Sequence, residues 1–394
     1  MGASRQVVVV GLGGLGSAAA YWAARSELDV LGLEQFELGH VRGASHDHSR
    51  IIRRSYHTTG YVTLAAEAYH AWRTVESDGD TEIVTRTGGV DLFPAGAAID
   101  AANYTASLTE AGVPFEWIDG AEVRRRWPGF AGTMLDTSVH AIQCDDTGIV
   151  PAGRATATLQ RLAAEHGAEL RPHSPVRELR PVGDEVDVVI DGDEHVEVIR
   201  AGHVIVTADA WTNRLLAPLG HEIPLAVTRE QVSYFPHADL GRFSIGRLPV
   251  WIWMDDPSFY GFPVYAVTDA VKAAEDCGGH EVDPDTRTFD PDPAMEARLG
   301  AFVDGLLGPG MGTPRTTTCL YTLTSDRDFV CDRVPGLPQI SVALGAAHGF
   351  KFASWFGREL AALATGAPVR AELAPFSMAR PSLYVPISRE AWMV

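Results

Sequence analysis

The first chemistry visible in the chain lies in three glycines and one acid. Gly11, Gly13 and Gly16 spell GxGxxG between an apolar run at residues 6–10 and a small-residue segment that includes Ala20. A second apolar run, DVLGLE, ends in Glu34. Glycine lets backbone approach a pyrophosphate, and the helix that follows offers unpaired N–H groups and the positive end of its dipole. An acid ending the second strand is placed to accept hydrogen bonds from a ribose 2′-hydroxyl. Strand, turn, helix, strand and acid occur in that order, so the segment reads as a dinucleotide site, and Glu34 disfavours a 2′-phosphate and hence NADP. A second feature is Cys319, inside TTTCLYT at 316–322. The β-branched run predicts a strand, in which a lone cysteine reads first as a small core residue. His46, Asp47 and His48 form HDH but have no further ligand set around them, so no metal is expected.

These residues need elements to position them. YVTLAAEAYHAWRTVE carries apolar residues at helical spacing, and PAGRATATLQRLAAEHG opens on Pro151 and closes at Gly167 as a second helix. Short strands follow around Val176, at 186–190 and at 203–206, and strands of period two dominate from Val227 to Tyr265. QISVALGAAHGFKFASWFGRELAALATG, near the far end, again reads as strand, glycine turn and small-residue helix. Nucleotide-binding elements at both ends with β-rich material between predict an α/β plus β protein, in which a discontinuous domain carries an inserted one.

Composition narrows the function classes. With 394 residues the chain can build two domains, and 46% hydrophobic and 21% charged residues are ordinary for a soluble protein. A net charge of −19 argues against binding nucleic acid through its phosphates. The start MGASRQ has no basic n-region or long apolar h-region, and no apolar run approaches the roughly 20 residues that span a bilayer, so no membrane is expected. Cys144, Cys277, Cys319 and Cys331 are too scattered for a disulfide framework, which suits a reducing, cytoplasmic compartment.

GxGxxG with Glu34, SRIIR at 49–53, RRWPG at 125–129, TADAW at 207–211, YGFP at 260–263, TTTCLYT and HGFKF at 348–352 resemble, in order and approximate spacing, the monomeric sarcosine oxidase and N-methyltryptophan oxidase family. The resemblance spans nearly the whole chain. It implies a discontinuous Rossmann-like FAD-binding domain at 1–85, 145–222 and 320–394. It also implies a substrate domain on a large mixed β-sheet at 86–144 and 223–319. It further implies a monomer or weak homo-oligomer and an FAD held by a thioether from Cys319. The cofactor is expected to touch Gly11, Gly13, Gly14, Leu15, Gly16, Glu34, Ser45, Ser49, Arg50, Val176, Cys319, His348, Gly349, Phe350 and Lys351.

The implied reaction oxidises a secondary amine bearing a carboxylate to its imine, with O2 as acceptor. Arg53 and Lys351 match the pair that binds the carboxylate, where a guanidinium fork fixes geometry and an ammonium adds charge. Arg50 matches a cation lying against the flavin, and Lys272 matches a lysine held by water near N5 and credited with activating oxygen. Tyr260 opens YGFP, and Asp276 stands where the family has a pocket histidine, which puts sarcosine itself in doubt. Ala347 replaces a family glycine, while Trp251, Trp253 and Met254 could shape a pocket or fill a core. The alternatives are the same chemistry with another electron acceptor, as in a biosynthetic desaturase, and a flavin-binding protein without catalysis.

Overall fold

The computed structural model describes residues 4–192, 195–266 and 269–387. Two sheets organise it. The first has eight strands, with a parallel core in the order 337–344, 197–206, 4–10, 30–33 and 169–171. Because side chains alternate along a strand, Val7 and Val9 point into one core and Val8 and Val10 into the other. Helix Gly14–Arg25 lies over the first of these faces, between Ala152–Glu165 and Ala353–Ala364. It packs close against the last of these: a Cβ on Gly357 would come within 2.4 Å of the Ala18 backbone.

The second sheet has nine strands in the order 280–281, 225–235, 271–276, 258–261, 250–253, 89–93, 140–144 and 116–119, with 315–324 also paired to 225–235. It is mixed, since 250–253 runs parallel to 89–93 and the other pairs are antiparallel. One face packs its Val90, Leu92, Trp251, Trp253, Phe259, Val271 and Phe235 against helix Pro293–Leu307. That helix is absent from the sequence reading, although Asp292 at its N-cap and Pro293 at its first position announce it. Trp251 and Trp253 therefore fill a core, as does Met254 in the neighbouring one.

The boundary expected between residues 319 and 320 cuts strand Arg315–Thr324, which belongs wholly to the nine-stranded sheet. Ten consecutive rungs to Leu225–Phe235 hold it there, so the chain returns to the first sheet only after Thr324. A small third sheet, 50–52, 148–150 and 85–86, carries Arg50. No helix among the described residues is long and apolar enough to cross a membrane.

Candidate active site

Register decides what meets what. On the nine-stranded sheet Cys319 pairs with Glu230, Tyr321 with Thr228, Lys272 with Tyr234, Tyr260 with Ala274 and Asp91 with Ile252. Directly opposite residues of a ladder share a face, and so do residues two apart. One face thus presents Cys319, Tyr321, Lys272, Asp276, Tyr260 and Asp91 together, while the opposite face is the apolar one under helix Pro293–Leu307. Arg50 and Arg53 reach this face from the small third sheet and the turn after it, and His348 and Lys351 from the turn before helix Ala353–Ala364.

Three cavities run end to end beneath these residues. The first, about 570 Å3, is lined by Gly11, Gly13, Glu34, Ser45, Val176 and Thr207. The second shares Gly13 and Ser45 with it and continues past Gly14, Leu15, Arg50, Tyr321, Gly349 and Phe350. The third, about 100 Å3, shares Arg50, Tyr321 and Phe350 with the second and ends at Arg53, Tyr260, Asp276, Arg327, His348 and Lys351. The run from an acid, past a helix N-terminus, to a cluster of cations has the chemistry of a dinucleotide whose far end faces a charged pocket.

The glycines are spatially obligatory. A Cβ on Gly16 would sit 1.8 Å from the Gly11 carbonyl oxygen, and one on Gly14 would sit 2.6 Å from the Phe350 ring. Gly11 itself has φ 91°, which side chains rarely tolerate. Gly16→Ala is therefore expected to yield protein with little or no bound flavin and a lower Tm. Gly60→Ala, in open space within helix Thr59–Gly79, should be neutral or slightly stabilising by about 0.5–1 kcal/mol. Absorbance at 450 nm per chain and a melting curve read both. Glu34 is buried, which raises its pKa, but His40 and the amides of Leu12 and Phe36 hold it below its ordinary value. It stays an anion able to accept from hydroxyls. Ser45 Oγ accepts from Gly14 N at 2.8 Å, at the helix N-terminus.

Arg50 is held by the carbonyls of Ser49, Ala44 and His46 at 2.9, 3.0 and 2.9 Å, which fixes a planar cation beside the second and third cavities. Arg53 is 5% exposed, donates to Asp91 Oδ2 at 3.1 Å and lies over the Tyr56 ring, yet its Nε is buried without a hydrogen-bond partner among the described residues. Lys351 lies 5.6 Å from the Tyr56 ring centroid, and no carboxylate among the described residues is in ion-pair contact with it. Burial first, and then the Arg53 charge, push its pKa down to about 7.

His348 Nε2 contacts the Arg327 carbonyl oxygen at 2.9 Å, and burial and the neighbouring cations keep the ring neutral. Since its Nε2 faces a carbonyl oxygen, it is the donor. Asp276 borders the cavity and accepts from Arg327 at 2.7 Å. Ala347 has φ 72°, a conformation a glycine would take without strain.

Four expected residues line none of the three cavities: Gly16, Ser49, Lys272 and Cys319. Ser49 and Lys272 are buried behind Arg50, and Lys272 is neither exposed nor turned to open space. Its pKa falls to about 8 through burial, against the pull of Asp47. Cys319 is also buried, and burial lifts its thiol to about 11 against the opposing Arg50 charge. The sequence reading missed Asp91 and Arg327 and gave Asp47 no role in the site. Their partners are 38, 51 and 225 residues away, and no local pattern marks them.

A Rossmann-like sheet, a glycine cradle and a cation-lined pocket under a mixed sheet define a flavin-dependent oxidoreductase. The chain belongs to the family described as DAO, FAD dependent oxidoreductase, whose sequence profile matches residues 6–363. It is 29% identical to monomeric sarcosine oxidase of Bacillus sp. (strain NS-129) over 383 residues, covering 96% of this chain and 97% of that protein. It is 32% identical to monomeric sarcosine oxidase of Streptomyces avermitilis, covering 92% and 94% of the two chains. Among solved structures, NikD, an unusual amino acid oxidase essential for nikkomycin biosynthesis, superposes with TM-score 0.83 at 27% identity, covering 94% of this chain and 97% of that one.

Proposed function

We propose that this chain oxidises a secondary amine carrying a carboxylate, a sarcosine-like N-methyl or cyclic amino acid, to the imine, with O2 as acceptor and H2O2 as product. The observation that carries the reading is the pair of cations at the end of the cavity run, Arg53 buried and Lys351 half-buried. Among the described residues, Arg53 has a donor without a hydrogen-bond partner and Lys351 has no ion-paired carboxylate. Gly11, Gly13, Gly14, Gly16, Glu34 and Ser45 would hold the FAD, with Cys319 as its covalent anchor. FAD, when bound, supplies the hydride acceptor and the later electron transfer to O2.

The chain's own residues supply binding, orientation and electrostatics. Arg53 offers a fork and Lys351 a point charge to one carboxylate, which sets the position of the adjacent C–H bond. Arg50, Arg53, Arg327 and Lys351 together disfavour a protonated amine. The substrate nitrogen is thereby kept neutral, with its lone pair free to assist departure of hydride. Tyr260 and Tyr321 border the third cavity, and desolvation raises both pKa values, so both stay protonated and can hydrogen-bond the ligand.

The relatives named above are sarcosine oxidases and an amino acid oxidase, which supports the substrate class. A panel of N-methyl and cyclic amino acids, assayed for peroxide, tests it. Carboxylated members should turn over, and equal rates on amines without the carboxylate would reject the reading. Lys351 adds a pH signature. It is charged below about pH 7 and neutral above, so binding of methoxyacetate, a carboxylate without an amine, should weaken as pH rises through 7. The loss should approach tenfold per pH unit, and Lys351→Met should flatten it. Flavin-difference titrations at several pH values measure both.

A further inference from the structure

An ammonium group has three N–H donors, and it stabilises negative charge on a neighbour only through a donor or a field left over for that neighbour. Lys272 has neither to spare. Its Nζ donates to Asp47 Oδ2 at 2.6 Å, to the Ser49 carbonyl at 2.8 Å and to Ser49 Oγ at 3.1 Å, and its side chain is 4% exposed. All three donors end on the protein, and the charge is matched at contact distance.

Asp47 is itself held in place. Its side chain is 6% exposed, its Oδ1 accepts from the Tyr234 hydroxyl, and its Oδ2 lies 3.5 Å from Arg50. Tyr234 stands directly opposite Lys272 in the ladder, so lysine, aspartate and tyrosine close into one unit across two strands and a loop. The other groups facing Lys272 are the Phe262 ring, whose centroid is 4.8 Å from Nζ, the Arg50 cation and the Cys319 thiol. None of these is an acid that could replace Asp47. An ion pair this close acts on more distant atoms as a dipole, and its field falls off faster than that of a bare charge.

We propose that Asp47 is a positioning residue that restrains Lys272 and so limits how fast O2 reoxidises the enzyme, making Asp47 a determinant of acceptor use. The inference rests on the flavin-enzyme reading above and specifies its oxidative half. In that half two electrons and two protons pass from the reduced cofactor to O2, giving H2O2 and the oxidised cofactor. With Lys272 saturated, its charge is withheld from the negative charge that develops on oxygen, and an acceptor that needs no such cation competes better.

Holoenzyme is photoreduced without amine and mixed with air-saturated buffer, and flavin absorbance is followed by stopped flow. Asp47→Asn should reoxidise about tenfold or more faster than the native chain. Lys272→Met should cost about tenfold more rate in the Asp47→Asn background than in the native one. Titration of the oxidised holoenzymes with sulfite adds a readout without turnover, because the flavin–sulfite adduct carries negative charge that a nearby uncompensated cation stabilises. Asp47→Asn should tighten that binding, and Asp47→Asn with Lys272→Met should not. Should Asp47→Asn fail to fold, Tyr234→Phe, which removes one hydrogen bond from Asp47, should move both readouts the same way by less. Equal costs of Lys272→Met in both backgrounds, or unchanged sulfite affinity in Asp47→Asn, would overturn the proposal. Reoxidation needs no amine, so failure of the substrate panel leaves this test intact and sinks only the substrate reading.

Discussion

Arg53→Ala is expected to lower kcat/KM for a carboxylated amine by about a thousandfold, equivalent to ~4 kcal/mol. Two effects add. The substrate carboxylate loses its fork, and Asp91, 5% exposed and paired with Arg53 at 3.1 Å, is left as a buried acid without its counter-ion. Burial already raises the Asp91 pKa and the Arg53 charge opposes that rise, so the variant should take up a proton there. Arg53→Lys separates the two effects. It keeps a cation near Asp91 but loses the planar fork, so stability should recover more than affinity does. Steady-state kinetics with and without the carboxylate on the substrate, beside melting curves for each variant, provide the check. An Arg53→Ala enzyme that binds methoxyacetate as tightly as the native one would remove Arg53 from the pocket's chemistry.

On the proposed tether, Cys319→Ser is expected to release all its flavin on acid denaturation, while the native chain keeps its colour through the same treatment. The thiol is buried on the face shared with Tyr321 and Lys272, and burial raises its pKa to about 11 while Arg50 pulls it back. A thiolate, the reactive form, is therefore accessible only with the help of that fixed cation. Arg50→Met should consequently slow attachment when apoprotein is reconstituted with FAD, even though Cys319 is intact. Fluorescence of the flavin on a denaturing gel reports attachment directly. Flavin that stays bound to the serine variant in acid would place the tether elsewhere.

The parts of this site that were legible in advance are those whose chemistry is local. The glycine cradle and Glu34 lie within one strand–helix–strand unit, and the same residues that bind a pyrophosphate also permit the packing, as the Gly16 contact shows. Arg53, Lys351, Tyr260 and Asp276 were found through motif resemblance, and they do border one cavity. Lys272 was expected to face the cofactor through water, and its identity alone could not disclose that Asp47 and Ser49 take all three of its donors. Trp251 and Trp253 were open between pocket and core, because alternation fixes that two residues share a face but not which face is covered. Helix Pro293–Leu307 covers theirs.

By itself the amino-acid sequence determined the dinucleotide cradle, the strand–helix–strand unit around it and the identity of the charged side chains, because short-range backbone geometry and composition settle those. Only the tertiary structure decided which charges are paired: Arg53 with Asp91, Asp276 with Arg327, Lys272 with Asp47. Such pairings depend on strand register and on loops that bring distant residues to contact distance, and a slip of one residue would turn Asp91, Lys272 or Asp276 to the other face of the sheet.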